Sequence, residues 1–307
     1  MTDTIDNILN QINILETEKY QNMTVIGLNI PDKQLDLMSL EIGLDMGLVE
    51  ITEVNEQGSV GEVKVTNNAV TPLLLLDGEE ILGSKQNRII NTTIIIPAKS
   101  EKIIPVSCVE ANRWDYNTRK FHYSNNMATS RVRRDKLNSI NQSLRKTNRY
   151  ISDQNKVWEN ISQTEMELGV NSTTSALHDT YIQRDNTIQE YKKAFKIQQQ
   201  QNGLIVYING ELAGFEIIYN STRYKQYHDK LLKSYIIDAI SKQQEDYVEE
   251  YVKKEDLINK IRKSKRETYE SIGLGTDYRF EDEDIMGSMM LLENDIINAS
   301  FFKKTTV

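Results

Sequence analysis

The chain contains one cysteine, Cys108, in 307 residues. An intramolecular disulfide is therefore excluded, and so is a cysteine-rich zinc site. Histidine is almost as scarce. His122, His178 and His228 stand far apart, so no metal-ligand spacing exists locally. The chain holds four prolines, and no long low-complexity linker interrupts it. No apolar run approaches the roughly 20 residues a membrane helix needs. The acidic start, MTDTIDNILNQINILE, lacks the basic segment and apolar core of a signal peptide. These absences lead to the expectation of a cytoplasmic protein with no membrane partner.

What is present fits a globular chain. Hydrophobic residues make up 38% and charged residues 27%, enough for a sizeable core in one large domain or two. The formal charge of -8 argues against a general nucleic-acid binder while leaving room for a local basic patch.

Ile5, Ile8, Leu9, Ile12 and Leu15 recur at helical spacing, which predicts an amphipathic helix over residues 1–20. Residues 21–303 read as a single α+β domain. Segments 23–30, 47–54, 61–67, 71–82, 88–97 and 102–110 are apolar, largely β-branched and separated by turn signals, with a short helix at 39–47. The connections are too short for crossover helices, so the β-rich part, 21–115, should be antiparallel. Helical spacing dominates 129–200, with Ser172 or Thr173 as a candidate cap. A mixed stretch, 203–303, begins with a hairpin turning at Asn209-Gly210. Glu249/Lys253, Glu250/Lys254 and Asp256/Lys260 mark 244–266 as an exposed helix. The EDED run, 281–284, reads as an exposed turn. The fold class expected is α+β: an antiparallel β-rich N-terminal half, a helical C-terminal half, and late strands returning to the sheet.

The chemistry-bearing stretch is DGEEILGSKQNRIINTTIIIPA, residues 77–98. Gly78 and Gly83 have the spacing of a phosphate-binding loop, but Ser84 and Lys85 stand in reverse order. Glu79 and Glu80 would repel a phosphate, and a strand-like run follows where a helix is required. That motif is rejected. A hairpin turn between Leu76 and Ile89 accounts for the glycines. It does not require Lys85, Gln86, Asn87 and Arg88 together, followed by Asn91. Lys and Arg can grip an anion, and Gln and Asn amides can read hydroxyls or base edges. Composition leaves a solvated turn and a ligand site both open.

Cys108 opens a second cluster, CVEANRW, with Glu110, Arg113 and Trp114. No histidine lies near it in sequence, and an inert strand-end cysteine is the preferred reading. Residues 130–149 carry seven basic residues against Asp135. They read either as a solvated helix face or as a steering field for an anionic ligand. Nucleic acid could enter only there. The sequence names no cofactor, no metal centre and no oligomeric state.

The block LLLLDGEEILGSKQNRIINTTIIIPAKSEKIIPVSCVEANRW closely resembles the signature of the "ARG and rhodanese-phosphatase-superfamily-associated protein domain" family, where ARG denotes ADP-ribosylglycohydrolase. Weaker similarity continues through DQNKVWENI, GVNSTTSAL, VYINGELAGFEIIY, LLKSYIIDAI and GLGTDYRF to NASFF, covering roughly 24–302. The family-like polar positions are Glu79, Glu80, Lys85, Gln86, Asn87, Arg88, Asn91, Glu110, Arg113, Trp114, Gln154, Trp158, Ser172, Thr174 and Ser175. Asn155 stands where glycine is expected, and Thr173 where proline is usual. The resemblance implies association with NAD and ADP-ribose metabolism and with conflict between bacteria and their viruses. It implies no demonstrated reaction.

Three readings follow. In the first, the chain binds, and in a stronger form processes, a nucleotide-type small molecule related to NAD or ADP-ribose. Lys85, Arg88 and Arg113 would hold phosphate, Gln86, Asn87 and Asn91 would read ribose or base, and Trp114 or Trp158 would offer a face. Glu79, Glu80 or Glu110 would act as acid, base or cation ligand. In the second, the chain is a non-catalytic interaction or signal-sequestering module. In the third, the charged block is an internal salt-bridge network.

Overall fold

The computed structural model describes residues 2–243 and 254–304. In chain order the elements are α1 (Thr2–Asn10), β1 (Asn13–Tyr20), β2 (Met23–Asn29), β3 (Met38–Ser39), α2 (Leu40–Asp45), β4 (Val49–Glu53), β5 (Glu62–Asn67), β6 (Leu73–Leu75), β7 (Glu79–Gly83), β8 (Arg88–Ile90), β9 (Ile94–Ile96), β10 (Ser100–Cys108) and β11 (Phe121–Met127). They continue as α3 (Ser130–Thr147), α4 (Gln154–Leu168), α5 (Leu177–Gln183), α6 (Asp185–Ala194), β12 (Gly203–Ile208), β13 (Glu211–Ile218), α7 (Ser221–Ser241), α8 (Lys254–Lys263), β14 (Lys265–Glu270), β15 (Thr276–Glu281), β16 (Ile285–Leu292) and β17 (Asp295–Lys303).

Two compact units result. The first takes 1–34, 186–270 and 275–307; the second takes 35–185 and 271–274. Neither follows the boundary drawn at residue 20.

The first unit is an eight-stranded antiparallel sheet in the order β1-β2-β12-β13-β17-β16-β15-β14. Its middle strand β12 is buried along its whole length, because both faces are covered. Ile205 and Tyr207 join a core with Ile5, Ile8 and Leu9 of α1 and with Leu257 and Ile261 of α8. Leu204 and Val206 alternate to the other face, the one packed by α7, which meets β2, β12 and β13. The β12–β13 turn has Asn209 and Gly210 at φ 51° and 75°, the left-handed pair that suits a two-residue hairpin.

The expected helical C-terminal half is not found. After α6 the β-branched and aromatic stretches form β12 to β17, and strands occur at both ends of the chain. Three local expectations also change. The N-terminal helix stops at Asn10, and residues 13–20 form β1, because pairing along β2 satisfies their backbone groups. The helix expected through Arg266 stops at Lys263, and 265–270 pair with β15. Of its expected ion pairs, Glu249/Lys253 and Glu250/Lys254 lie outside the described residues, and Lys260 pairs with Asp284. Finally, Ala176, not Ser172 or Thr173, is the cap of α5. The Ser172 hydroxyl accepts the Ala176 N–H at 2.9 Å and donates to Asp179 at 2.6 Å.

The second unit joins a six-stranded antiparallel sheet, β11-β7-β8-β10-β5-β4, to a three-stranded sheet, β3-β6-β9. Val63, Val65, Ile81, Ile90, Ile104 and Phe121 from the first meet Leu73, Leu75, Ile94 and Ile96 from the second. Helix α4 packs on β10 and on α3.

Candidate functional site

All the candidate residues belong to the second unit. The strand-to-strand reading of residues 77–98 holds: β7 and β8 pair antiparallel with Glu80 opposite Ile89 and Ile81 opposite Arg88. Residues 84–87 make the turn. Gly83 takes φ +105° and packs so closely on Thr118 that a Cβ would collide with its hydroxyl, so glycine is required there. Ser84 itself is held at φ 46°. No helix follows Gly83, consistent with rejection of a phosphate-binding loop.

The charges of this hairpin are paired inside the protein. Arg88 is wholly buried; its Nη1 donates to Gln86 Oε1 at 3.1 Å, and Nη2 lies 3.8 Å from Glu53 Oε1. Burial lowers the Arg88 pKa from its ordinary value, with Glu53 opposing. Glu53 also accepts the Ser84 hydroxyl at 2.9 Å. Sequence reasoning missed Glu53, although a signal existed. Val49, Ile51 and Glu53 alternate inward along β4, so the last position is a carboxylate in core register.

Arg113 organises the other side of the turn. Its Nε and Nη2 donate to the two Glu110 oxygens at 2.8 and 2.6 Å, and its Nη1 donates to the Ser84 and Asp115 carbonyls at 2.7 and 2.8 Å. Glu110 also accepts the Asn87 N–H at 3.1 Å. Burial raises the Glu110 pKa, but donation from Arg113, Asn87 and Thr174 outweighs it, so the net direction is downward. Asn87 Oδ1 accepts the Gly83 N–H at 3.0 Å, which closes the turn on itself.

Lys85 differs from these two arginines. Its ammonium lies 5.6 Å from the Trp114 ring centroid and 4.8 Å from that of Tyr116, and among the described residues it forms no ion pair. Trp114 is 39% exposed and also lies over Arg88, at 5.4 Å. Lys85, Trp114 and Tyr116 thus make a cation–aromatic corner above the buried Arg88–Glu53 pair.

The remaining candidates lie elsewhere. Asn91 is buried; it donates to the Tyr150 carbonyl at 3.2 Å and accepts from Ser107 at 2.6 Å. Gln154 bridges both backbone groups of Cys108, at 2.7 and 2.8 Å. Glu79 accepts the Leu76 N–H at 2.8 Å. Glu80 points to the opposite sheet face from Arg88, where it accepts from Ser124 at 2.6 Å and meets His178 Nδ1 at 2.9 Å. Nothing in the local spacing of His178 shows this contact, which spans 98 residues. Trp158 is not brought to Trp114. It lines an open groove of about 570 Å³ on α4 with Asn155, Glu159, Ser162, Gln163 and Met166.

The basic stretch 130–149 is largely neutralised. Arg131 forms two bonds to Glu167 at 3.1 and 2.8 Å, and Arg134 bonds Asp135 at 2.8 Å. Arg133 and Lys136 are buried around Asp77, and Lys136 also donates to the Ile90 and Asn91 carbonyls. Arg145, Lys146 and Arg149 remain exposed at the far end of α3. Cys108 is buried and bonds the Val60 carbonyl; burial pushes its thiol up to about 11, against the pull of Arg88. Among the described residues, no three His, Cys, Asp or Glu side chains are grouped as a metal site, and no helix is long and apolar enough to cross a membrane.

Fold and site together define a mixed protein of two units built on antiparallel-rich sheets with helices interspersed along the chain, one unit carrying an internally bonded charged hairpin. The chain belongs to the family of the ARG and Rhodanese-Phosphatase-superfamily-associated Protein domain, whose model matches residues 11–302. The match begins just after α1. No curated protein and no solved structure matches the chain. The family name associates it with ADP-ribosylglycohydrolase and rhodanese-phosphatase systems.

Proposed function

We propose that the second unit binds a nucleotide-type small molecule related to NAD or ADP-ribose at the corner of Lys85, Trp114 and Tyr116. The observation that carries this reading is the Lys85 ammonium, held over two aromatic rings without a carboxylate partner among the described residues. Arg88 and Arg113 are already neutralised by Glu53 and Glu110. A cation resting on an exposed ring gains only about 0.5–1 kcal/mol. A charge-assisted bond to a phosphate is worth about 1.5–3 kcal/mol, so an arriving phosphate draws Lys85 off the rings. Trp114, 39% exposed, then offers its solvent side to a base, while Arg119 stays over Tyr116 at 4.5 Å.

Binding without bond cleavage is the form this corner favours. Glu79, Glu80 and Glu110 are buried and hydrogen-bonded within the hairpin or on the opposite sheet face, so none is offered to a ligand at Lys85. This agrees with a sensor or signal-sequestering role in conflict between bacteria and phages, the setting implied by the family resemblance. The test is thermal stabilisation by ADP-ribose and NAD, followed by mass analysis of the ligand. Stabilisation with intact ligand, lost in Lys85→Ala, is expected. Altered ligand mass, or stabilisation undiminished in Lys85→Ala, contradicts the reading.

A further inference from the structure

The Lys85 corner holds a second cation, Arg119. Its guanidinium carbon lies 4.5 Å from the Tyr116 ring centroid, while the Lys85 ammonium stands 4.8 Å from the same point. One ring thus carries two positive charges. Their repulsion keeps them apart, and their separation cannot exceed the sum of those two distances.

The loop that carries Tyr116 and Arg119 is fastened to the turn that carries Lys85. The Ser84 carbonyl accepts the Asn117 N–H at 2.9 Å, and the Ser84 N–H donates to the Thr118 hydroxyl oxygen at 3.1 Å. That hydroxyl donates in turn to the Lys120 carbonyl at 2.7 Å, so both chain neighbours of Arg119 are held. The Tyr116 hydroxyl donates to the Glu56 carbonyl at 3.4 Å, which braces the ring from its far end. The two cations are therefore arranged before a ligand arrives, and binding does not have to order the backbone between them.

Each cation can be drawn to an anion. Lys85 has no carboxylate partner among the described residues. Arg119 Nη1 donates to Glu56 Oε2 at 2.9 Å, but both side chains are largely exposed. Such a pair holds weakly in water, whereas a phosphate takes a guanidinium through two parallel bonds. Stacking occupies the face of the guanidinium and leaves its edge donors to an oxyanion. Lys120, the next residue, is engaged elsewhere, with Glu50.

We propose that Arg119 takes the second phosphate of a diphosphate, so that the corner selects nucleoside diphosphates and their sugar esters over monophosphates. The inference rests on the binding reading above: Lys85 takes one phosphate, and Arg119 takes the phosphate linked to it. Two linked phosphates present oxygens to both cations within the limit set by the Tyr116 ring. A single phosphate leaves one cation unanswered.

The experiment measures Kd for AMP, ADP and ADP-ribose by calorimetry, using the full chain and variants checked by thermal melting. Wild type should bind ADP and ADP-ribose at least about tenfold more tightly than AMP. Arg119→Gln should erase that preference and leave the AMP affinity nearly unchanged. Lys85→Ala should weaken all three ligands together. Lys120→Gln should keep the preference, which separates a specific contact from the loss of one surface charge. Glu56→Gln releases Arg119 and should tighten ADP and ADP-ribose but not AMP. No binding of any of the three to wild type would overturn the binding reading and this inference with it. Equal affinity for AMP and ADP in wild type, or a diphosphate preference kept in Arg119→Gln, would overturn the inference alone.

Discussion

Arg113 holds Glu110 through two parallel bonds, 2.8 and 2.6 Å, while its remaining donors reach the Ser84 and Asp115 carbonyls. One side chain thereby ties the 84–87 turn to the segment after β10. Because the Val109–Leu177 bond follows directly in sequence, the same segment also positions α5. The third of the sequence readings, an internal network, therefore describes most of the charged block.

Arg113→Ala leaves Glu110 buried without its main donor and should cost about 3–5 kcal/mol, read by denaturant unfolding. Glu110 has a folded pKa below its unfolded value of about 4.3. The stability it contributes is complete above that value and is lost as pH falls through the folded pKa. Glu110→Gln should flatten that part of the acid limb, in stability measured between pH 5 and about 3.

Arg88→Ala strands Glu53 in the core and should also cost about 3–5 kcal/mol. Arg88 thus belongs to the fold, and under the binding proposal Lys85 is the residue that meets the ligand. Comparing their melting temperatures checks the division: Lys85→Ala should melt close to wild type.

Glu165 titrates in the opposite sense. Burial, helped by the charge of Asp179, raises its pKa to about 6, and its Oε1 is buried without a partner. The folded state therefore holds a proton that the unfolded state has released, and stability falls as pH rises from about 4.3 to about 6. Glu165→Gln should remove that fall, which a pH series of thermal melts would show.

Cys108, with its thiol pushed up to about 11, should resist a disulfide reagent at pH 8 in the native chain and react at once after denaturation. Rapid labelling of the native protein would count against the buried geometry around Arg88.

Local patterns along the chain were enough to read the hairpins, the long helices and the strand-to-strand form of residues 77–98. Asn209-Gly210 announces its turn because Asn-Gly is among the few pairs that adopt two left-handed residues cheaply. Pairing partners across the chain were not legible. Residues 13–20 have enough apolar spacing to imitate a helix and become a strand only because β2 offers an edge. Lys136 looks like a surface lysine until Asp77, 59 residues away, meets it in the core. His178 is likewise invisible without Glu80, whereas Glu53 could have been found from its inward register. Composition drew attention to the charged block but could not separate Lys85, over the rings, from Arg88 and Arg113, which are paired with carboxylates.

The most direct test is ligand-induced thermal stabilisation by ADP-ribose in wild type, Lys85→Ala and Trp114→Ala, with the ligand weighed afterwards. The binding account predicts a shift in wild type, its loss in both variants at near-normal unliganded melting temperatures, and intact ligand throughout. An equal shift in all three proteins, or no shift in wild type, would contradict it.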